Sequence, residues 1–309
     1  MQHGDLCAGH FLSYFEDKVF QTIQDYRLLE RNDTICVAAS GGKDSLTVLY
    51  LTKKYINKKN LPAKLFALAV DEGLKDYRAH TILDLKKFCK KEKIELHLVF
   101  NKKEFGFTLD EAQKKISQKR PCHICGVWRR YLLNKEARKL GATKLITGHN
   151  LDDEAQAILM NFFKANSSLS AHLGPVSGVE KSDSKKEGPF VQRIKPLYFC
   201  TEKETRLYAV LKKFPLHFAE CPYANEGYRS KVRDMLNEFE NNYPGTKQGL
   251  INSFLDLLPL IKQKAMLNKE KLQHCQRCGE PANNPICKAC KIIEELQTKN
   301  KTKTGKKKK

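Results

Sequence analysis

The chain has 309 residues, of which 41% are hydrophobic, so it can bury the core of one large or two modest domains. Its net charge of +21 favours a polyanionic partner such as nucleic acid, although solvated lysine-rich faces would give the same excess. We find no secretory signal and no apolar run of the roughly 18–20 residues that cross a bilayer, so we expect a cytoplasmic protein without a membrane segment. In that reducing compartment, the eleven cysteines favour metal binding over disulfides.

Helical and strand patterns alternate along the chain. An opening helix is indicated by apolar residues at helical spacing, which are Phe11, Phe15, Val19, Ile23 and Tyr26. Strands are predicted from residue 35 and at 65–70, 95–99 and 144–147, and helices at 78–91, 127–140 and 250–266. This alternation predicts a doubly wound parallel α/β sheet. Cys36 and Cys89 fall inside these elements, where we interpret them as packing residues.

The segment Ser40–Ser45 follows the first strand and precedes a helical pattern. Its glycines let the backbone approach phosphate oxygens closely, and the start of the helix attracts an anion. Lys43 adds a positive charge, and Ser40 and Ser45 add hydroxyl donors. The other common phosphate loop requires Ser or Thr after its Gly-Lys pair, whereas Asp44 follows Lys43 here. The sequence therefore predicts a nucleotide site of a different type.

Two further segments end strands at the same edge of the predicted sheet. Val70 and Asp71 would lie beside the nucleotide, because ligands bind beyond the carboxyl ends of parallel strands. The segment Gly148–Asp153 carries adjacent carboxylates, which indicate magnesium binding or acid–base chemistry, or else helix capping by Asp152 and Asp153. His149 fits a core residue or a phosphate contact equally well.

Cys122 and Cys125 lie three residues apart, a spacing at which both thiols can bind one metal ion or cluster. His123, Arg129 and Arg130 favour the thiolate form of these cysteines. A closed site needs at least one more thiolate, and the best candidate is Cys221, which precedes a proline. The alternative, Cys200, lies in an apolar segment that favours packing.

Cys275, Cys278, Cys287 and Cys290 form two Cys-x2-Cys pairs around a Gly-Pro-Asn-rich loop, which predicts one structural zinc ion held by four thiolates. Seven lysines follow within 299–309, so we expect a disordered tail from residue 294.

Other segments leave more than one interpretation open. Cys7 and His10 would supply half of a zinc site, or belong to frayed residues without metal. Residues 176–190 are polar and read as a mobile loop. Arg229, Lys231 and Arg233 would contact phosphates or solvate a helix.

The order of these motifs is similar to that of the tRNA 2-thiouridine synthetases of the TtuA/NcsA type, within the PP-loop or N-type ATP pyrophosphatase superfamily. The resemblance rests on Ser40–Ser45, Asp71-Glu72-Gly73, the pair Cys122 and Cys125 with Arg129-Arg130, Gly148 to Asp153, Cys221-Pro222-Tyr223 and the C-terminal cysteine pairs. It covers roughly residues 7–292. It implies a Rossmann-like PP-loop fold with a small C-terminal zinc ribbon. Relatives open with a further Cys-x2-Cys pair that this sequence lacks, which places an N-terminal zinc site in question.

The resemblance also implies the cofactors and their ligands. Cys122, Cys125 and Cys221 would hold a 4Fe-4S cluster, leaving one iron open for the sulfur to be transferred. The implied ATP contacts are Ala38, Ser40, Gly41, Gly42, Lys43, Asp44, Ser45, Val70, Arg129, Gly148 and Asp153. The residues assigned to catalysis are Lys43, Asp44, Asp153 and the three cluster cysteines.

The implied activity is an ATP-dependent tRNA sulfurtransferase that adenylates a uridine at C2 and installs sulfur, with Mg²⁺ on the phosphates. The implied partners are tRNA, a sulfur donor that is either a ubiquitin-like thiocarboxylate carrier or free sulfide, and a second copy of the chain. The alternatives are an adenylating tRNA ligase without a cluster, similar to the lysidine synthetases, and a zinc-ribbon RNA-binding scaffold.

The expected domains follow from the same order. They are an N-terminal helix with a partial zinc knuckle at 1–30, the catalytic domain at 31–225, a helical extension at 226–268, the zinc ribbon at 269–293 and the disordered tail at 294–309.

Overall fold

The computed structural model describes residues 6–178, 190–216, 221–223, 227–267 and 272–305. Within them, six strands form one sheet in the order β3-β2-β1-β4-β6-β5. The strands are β1 Thr34–Ala38, β2 Lys64–Asp71, β3 Glu95–Phe100, β4 Lys144–Ile146, β5 Val176–Ser177 and β6 Gln192–Ile194. All neighbouring pairs are parallel except β5 with β6, which is antiparallel. The predicted parallel sheet is therefore confirmed, with one antiparallel strand at its edge.

Helices cover both faces of this sheet. They are α1 Ala8–Asp25, α2 Lys43–Lys58, α3 Arg78–Lys91, α4 Asn101–Phe105, α5 Leu109–Lys115, α6 Pro121–Lys139, α7 Leu151–Phe163, α8 Ser167–Ser170, α9 Glu202–Leu211, α10 Tyr228–Asn242, α11 Thr246–Leu267 and α12 Lys288–Gly305. A second, two-stranded sheet pairs β7 Gln273–His274 with β8 Pro281–Ala282. No helix of the described segments is both long and apolar enough to cross a membrane.

Two hydrophobic cores lie on the two faces of the sheet. One gathers α1, α2, α3 and α9, and the fully buried Phe15 and Tyr208 stack in it at 4.7 Å between ring centroids. The other gathers α5, α6 and α12 around Trp128, which is fully buried. Cys36, Cys89 and Cys200 are buried, as expected of packing residues. A third core joins α7 to α10 and α11, the predicted helical extension.

The expected start of one helix was wrong. We predicted a helix from residue 127, but α6 begins at Pro121. Proline suits the first helical position because its ring fixes φ and its missing N–H has no partner to lose there. Cys122 and Cys125 therefore stand on the first two turns of a helix and not in a loop.

Two segments predicted to lack structure are partly ordered. The tail expected to be disordered from residue 294 is helical through Gly305, because Leu296 of α12 is fully buried in the second core. Within the predicted loop 176–190, Val176–Ser177 pairs with β6, and residues 179–189 lie outside the described residues. Residues 306–309 of the tail also lie outside them.

The order of the strands positions the site. The chain runs outward from β1 to β3 and then returns to place β4 on the other side of β1. At such a reversal, the loops leaving two neighbouring strands separate and form a crevice at their carboxyl ends. Here those loops are residues 39–42 and 147–150.

Candidate active site

The phosphate loop turns from β1 into α2 through Gly41 and Gly42. Gly41 has φ of +86°, and a Cβ there would lie 2.3 Å from the carbonyl oxygen of Thr81, so only glycine fits. The Gly41 N–H donates to Ser45 Oγ at 3.1 Å, and Ser45 Oγ donates to the Gly42 carbonyl at 2.8 Å. Ser40 Oγ lies 3.2 Å from Ser45 Oγ. The predicted serines thus brace the turn that presents the N-terminus of α2, where an anion is favoured.

Lys43 and Asp44 are the first two residues of α2, and Asp44 lines the cleft between α2 and α7. Lys43 Nζ lies 3.0 Å from Asp44 Oδ2 and 2.9 Å from Oε1 of Glu202, the first residue of α9. Burial opposes the charge of Lys43, but Asp44 and Glu202 outweigh it and raise the pKa of the ammonium group. The lysine is therefore charged and held by carboxylates.

The second wall of the cleft is the start of α7. Asn150 caps this helix, and its Nδ2 donates to Asp44 Oδ1 at 3.2 Å. A Cβ on Gly148 would lie 3.0 Å from the backbone carbon of Asp44, so this glycine permits the two walls to approach. Asp153 accepts from Arg229 Nη2 at 2.9 Å.

The pKa values of both carboxyl groups at the cleft, those of Asp44 and Asp153, are raised. Burial is the main cause of the raised pKa of Asp44, and the nearby charge of Asp153 adds to it against the attraction of Lys43. Burial likewise raises the pKa of Asp153, against the attraction of Arg229. A divalent cation would relieve both groups, and Mg²⁺ needs only one or two protein carboxylates beside the phosphates.

These walls enclose a cleft of about 240 Å³. Its lining residues are Asp44, Asn150, Asp152, Asp153, Gln156, Glu202, Arg229, Ser230 and Arg233. Asp153 caps α7 and also lines the cleft, because it completes the capping box with Asn150 and accepts a hydrogen bond from Arg229. Asp152 instead pairs with Lys247 of α11 and accepts from the Glu202 N–H at 2.7 Å, a structural role. His149 is exposed, with Nδ1 2.9 Å from Thr147 Oγ1, so it is not a core residue.

Two of the three predicted cluster cysteines lie on α6 and the third lies in the neighbouring segment 221–223, which packs against the same hydrophobic core. The thiol of Cys221 is close enough to those of Cys122 and Cys125 for their charges to interact. Cys122 Sγ donates to the Tyr223 carbonyl at 3.5 Å. Among the described residues, the C-terminal cysteines are the only group of three or more candidate metal ligands whose ligand atoms all lie within 4.8 Å of one another. The three thiols of α6 and the segment 221–223 do not form such a group, and cysteine thiolates are the ligands that hold iron–sulfur clusters.

Arg129 connects this group to the nucleotide side. Its Nη2 donates to Cys125 Sγ at 3.0 Å, and its Nε donates to Glu72 Oε1 at 2.9 Å. Burial raises the pKa of the Cys125 thiol to about 11, and Arg129 opposes that rise. Glu72 also binds Arg78, which donates to the carbonyls of Val70 and Ser40. The predicted ATP contact Val70 is thus tied to the loop through its backbone.

The four C-terminal cysteines form a compact thiol cage. Their sulfur atoms lie within 4.8 Å of one another, and Cys278 Sγ is 3.8 Å from Cys287 Sγ. Burial raises the pKa of the Cys275 thiol, but backbone N–H groups of Cys287, Cys278 and Arg277 outweigh it and lower the pKa to about 6. Four converging sulfurs with a stabilised thiolate fit one tetrahedral zinc ion.

The predicted residues fall into one connected region and one separate cage. Ala38 ends β1, directly before the phosphate loop. Cys7 Sγ and His10 Nδ1 are 3.1 Å apart on the exposed start of α1, and His3 lies outside the described residues. Sequence reasoning gave no role to Arg78, Glu202 or Asn150, and it left Arg229 open.

Glu72 was the one missed residue with a usable signal. It lies in the motif at the carboxyl end of β2, where a buried acid needs a cation. The partners of Glu202 and Arg229 lie 159 and 76 residues away along the chain, and no local pattern links them.

Comparisons with known proteins found similar sequences that extend along most of this chain. A family model described as a PP-loop domain matches residues 12–238. The tRNA 2-thiolation protein NcsA of Haloferax volcanii is 34% identical over 300 residues, covering 94% of this chain and 93% of that protein. The cytoplasmic tRNA 2-thiolation protein 1 of Caenorhabditis elegans is 33% identical over 295 residues, covering 96% of this chain and 76% of its own length.

A solved structure matches at the level of the fold and the sequence. It is described as the U34-tRNA thiolase NcsA from Methanococcus maripaludis with its 4Fe-4S cluster. It superposes with a TM-score of 0.77 at 34% identity, over 94% of this chain and 89% of that one.

Proposed function

The chain belongs to the PP-loop family and, within it, to the tRNA 2-thiolation proteins, and we propose on that basis that it is an ATP-dependent tRNA sulfurtransferase. It replaces the C2 oxygen of a tRNA uridine with sulfur to give 2-thiouridine. The observation that carries this proposal is the hydrogen-bonded connection between the phosphate loop and the thiol of Cys125, through Arg78, Glu72 and Arg129. The protein acts in the cytoplasm, the compartment in the name of its Caenorhabditis elegans relative.

The first chemical step is adenylation. ATP binds with its phosphates on the loop Ser40–Ser45, and the C2 oxygen of the uridine attacks the α-phosphorus and releases pyrophosphate. Lys43 and the N-terminus of α2 stabilise the negative charge that develops on the phosphates. Asp44 and Asp153 would hold Mg²⁺, which would supply positive charge to stabilise the phosphates. Arg229 holds Asp153 in place.

The second step is sulfur transfer. Cys122, Cys125 and Cys221 would hold the 4Fe-4S cluster, which would activate sulfide from the sulfur donor as a nucleophile. Sulfide adds to C2 of the adenylated uridine, and the C2 oxygen leaves with AMP. Arg129 donates to Cys125 Sγ and so orients that ligand. The cage of Cys275, Cys278, Cys287 and Cys290 would hold zinc in a structural role.

The partners follow from the same chemistry. The basic chain, with a net charge of +21, suits the phosphates of tRNA. The sulfur donor is either a ubiquitin-like thiocarboxylate carrier or free sulfide, and supplying each in turn to the assay distinguishes them. We also propose a homodimer, which sedimentation of the purified chain tests.

Replacing Cys221 tests the function. We expect Cys221→Ala, assayed anaerobically after cluster reconstitution, to lose 2-thiouridine formation measured by mass spectrometry of tRNA. The matched control is Cys200→Ala, a thiol buried in the core, which should retain the activity. Full activity of Cys221→Ala would overturn the three-cysteine model. Mapping the modified nucleotide in the same digest identifies which uridine is thiolated.

The same assay separates the alternatives. A cluster-free ligase would release AMP without visible cluster absorbance, and an RNA-binding scaffold would release no AMP. We expect ATP-dependent AMP and pyrophosphate release together with a brown, cluster-loaded protein.

A further inference from the structure

We propose that Glu72 is a positioning residue that couples the nucleotide site to the cluster site. Its carboxylate holds one arginine against the phosphate loop and another against the thiol of Cys125. The inference rests on the proposed function, because it assumes that both sites are loaded in one chain. It adds a thermodynamic link between them that neither site requires for its own chemistry.

The carboxylate of Glu72 is buried between two arginines. Glu72 follows the buried end of β2 and is only 3% exposed. A buried carboxylate without partners is costly, whereas two arginines compensate it. Arg78 Nε lies 2.9 Å from Oε2, and Arg129 Nε lies 2.9 Å from Oε1. Each oxygen therefore serves one arginine, and the arginines come from α3 and α6.

Arg78 connects Glu72 to the phosphate loop. This side chain is 5% exposed, and it donates to the Val70 carbonyl at 2.6 Å and to Thr81 Oγ1 at 3.1 Å. Its Nη1 also donates to the carbonyl of Ser40, the residue at the start of the phosphate turn. A guanidinium group has five donors in a fixed fork, so moving the Ser40 carbonyl moves the nitrogen that contacts Glu72.

Arg129 connects Glu72 to Cys125, a proposed ligand of the cluster. Arg129 Nη2 donates to Cys125 Sγ at 3.0 Å, while its Nε is fixed by Glu72. Hydrogen bonds to the sulfur ligands of an iron–sulfur cluster tune its electronic properties. A shift of the carboxylate therefore changes the position of a donor on the Cys125 sulfur. One side chain thus transmits a displacement of the phosphate turn to the cluster ligand.

Coupling of this kind is reciprocal, so it has two measurable forms. Cluster loading should change the affinity for a non-hydrolysable ATP analogue by about fivefold or more, as is typical of coupled sites. The analogue should also shift the reduction potential of the cluster, measured by EPR during a redox titration. Neither readout requires turnover or tRNA.

The test is Glu72→Gln, which keeps the shape of the side chain and removes its charge. We expect the variant to load its cluster, because all three cysteines remain, and we expect cluster loading to change its analogue affinity by less than about twofold. The matched control is Glu16→Gln, a largely buried carboxylate that binds Lys54 and Lys212 away from the site, and it should keep the full coupling.

A second variant guards against a folding defect. Arg78→Lys keeps the positive charge beside Glu72 but cannot bridge Glu72, Val70 and Ser40 at once, so it should also lose the coupling. Unchanged coupling in Glu72→Gln or in a folded Arg78→Lys would overturn the inference, as would a wild-type protein in which the two sites are independent. A wild type that loads its cluster but forms no 2-thiouridine would overturn the proposed function instead.

Discussion

Asp44 and Asp153 carry negative charge where the fold disfavours it. Burial raises the pKa of each carboxyl, and their mutual repulsion adds to the rise of Asp44. Glu16 shows the opposite case: burial acts against its charge, but hydrogen bonds from Lys54 and Tyr208 outweigh it and lower the pKa. The contrast is typical of sites whose charges are completed only by a ligand.

Asp44→Asn should stabilise the ligand-free protein and abolish its binding of Mg²⁺-ATP. Because the folded pKa is raised above that of the unfolded chain, the charged carboxylate lowers stability as pH rises above about 3.8. Removing it should raise the free energy of unfolding by about 1 kcal/mol at pH 7. Thermal melting with and without Mg²⁺-ATP measures both effects. A variant that melts lower than the wild type without ligand would contradict the assignment.

Glu16→Gln should behave in the opposite way. The folded pKa of Glu16 lies below its unfolded value, so its contribution is complete above about pH 4.5 and is lost as pH falls through the folded pKa. The variant should therefore lose about 1–2 kcal/mol at pH 7, and the loss should shrink below pH 4.5. Melting across pH 3–7 measures it, with wild-type ATP affinity as the expected control.

At the scale of elements, helix α6 joins the two groups of cysteines. Its first turns carry Cys122 and Cys125, and its last turn carries Arg138, whose Nη2 lies 2.7 Å from Glu280 of the ribbon. Tyr131 of the same helix hydrogen-bonds Cys278. Lys119, just before α6, pairs with Glu295 of α12 at 2.6 Å. The C-terminal ribbon therefore braces the helix that carries Cys122 and Cys125, two of the three proposed cluster ligands.

Removing one zinc ligand should loosen this brace. We expect Cys287→Ser to lose zinc and at least about 2 kcal/mol of stability, because ligands that converge without their ion no longer hold the ribbon. Thermal melting with and without a chelator measures the loss, and the chelator should not affect the variant further. Cys89→Ala, which removes a buried thiol of the first core, is the matched control and should remain sensitive to the chelator. Equal chelator sensitivity of both variants would contradict the zinc assignment.

At the scale of the whole molecule, charge determines which partner is attracted. Of the net charge of +21, seven positive charges come from residues 299–309 and +14 remains on the rest of the chain. Phosphate contacts of this type strengthen binding to any nucleic acid and weaken it with salt. They do not choose the uridine, because backbone contacts carry no sequence information.

Replacing the seven lysines of 299–309 with glutamine should weaken tRNA binding without changing the chemistry. The affinity should fall equally for tRNA with and without the target uridine, and the slope of log affinity against log salt should decrease by roughly 0.7–0.9 for each phosphate that the tail no longer neutralises. Filter binding at several salt concentrations measures both. The thiolation rate at saturating tRNA should be unchanged, and a lower rate would assign the tail a direct role in catalysis.

Much of the architecture was predictable because its signals are local. The alternation of patterns indicated the parallel sheet, and the limits predicted for α3 are those observed. The turn at Gly41 and the spacing of the four ribbon cysteines are likewise properties of a few adjacent residues. The start of α6 was missed although Pro121 is a local signal for a first helical position. The end of α12 escaped prediction because the polar, lysine-rich sequence hides the burial of Leu296, which only the packing of the second core reveals.

The sequence by itself determined the phosphate loop, the paired cysteines and the basic charge, since each depends on residue type and short spacing. Tertiary structure alone decided which charges meet: Lys43 with Glu202, Asp153 with Arg229, and Glu72 with two arginines from different helices. The physical reason is that an ion pair needs its atoms within about 4 Å, whereas most residues of these pairs are far apart along the chain and come together only when the helices pack around the sheet.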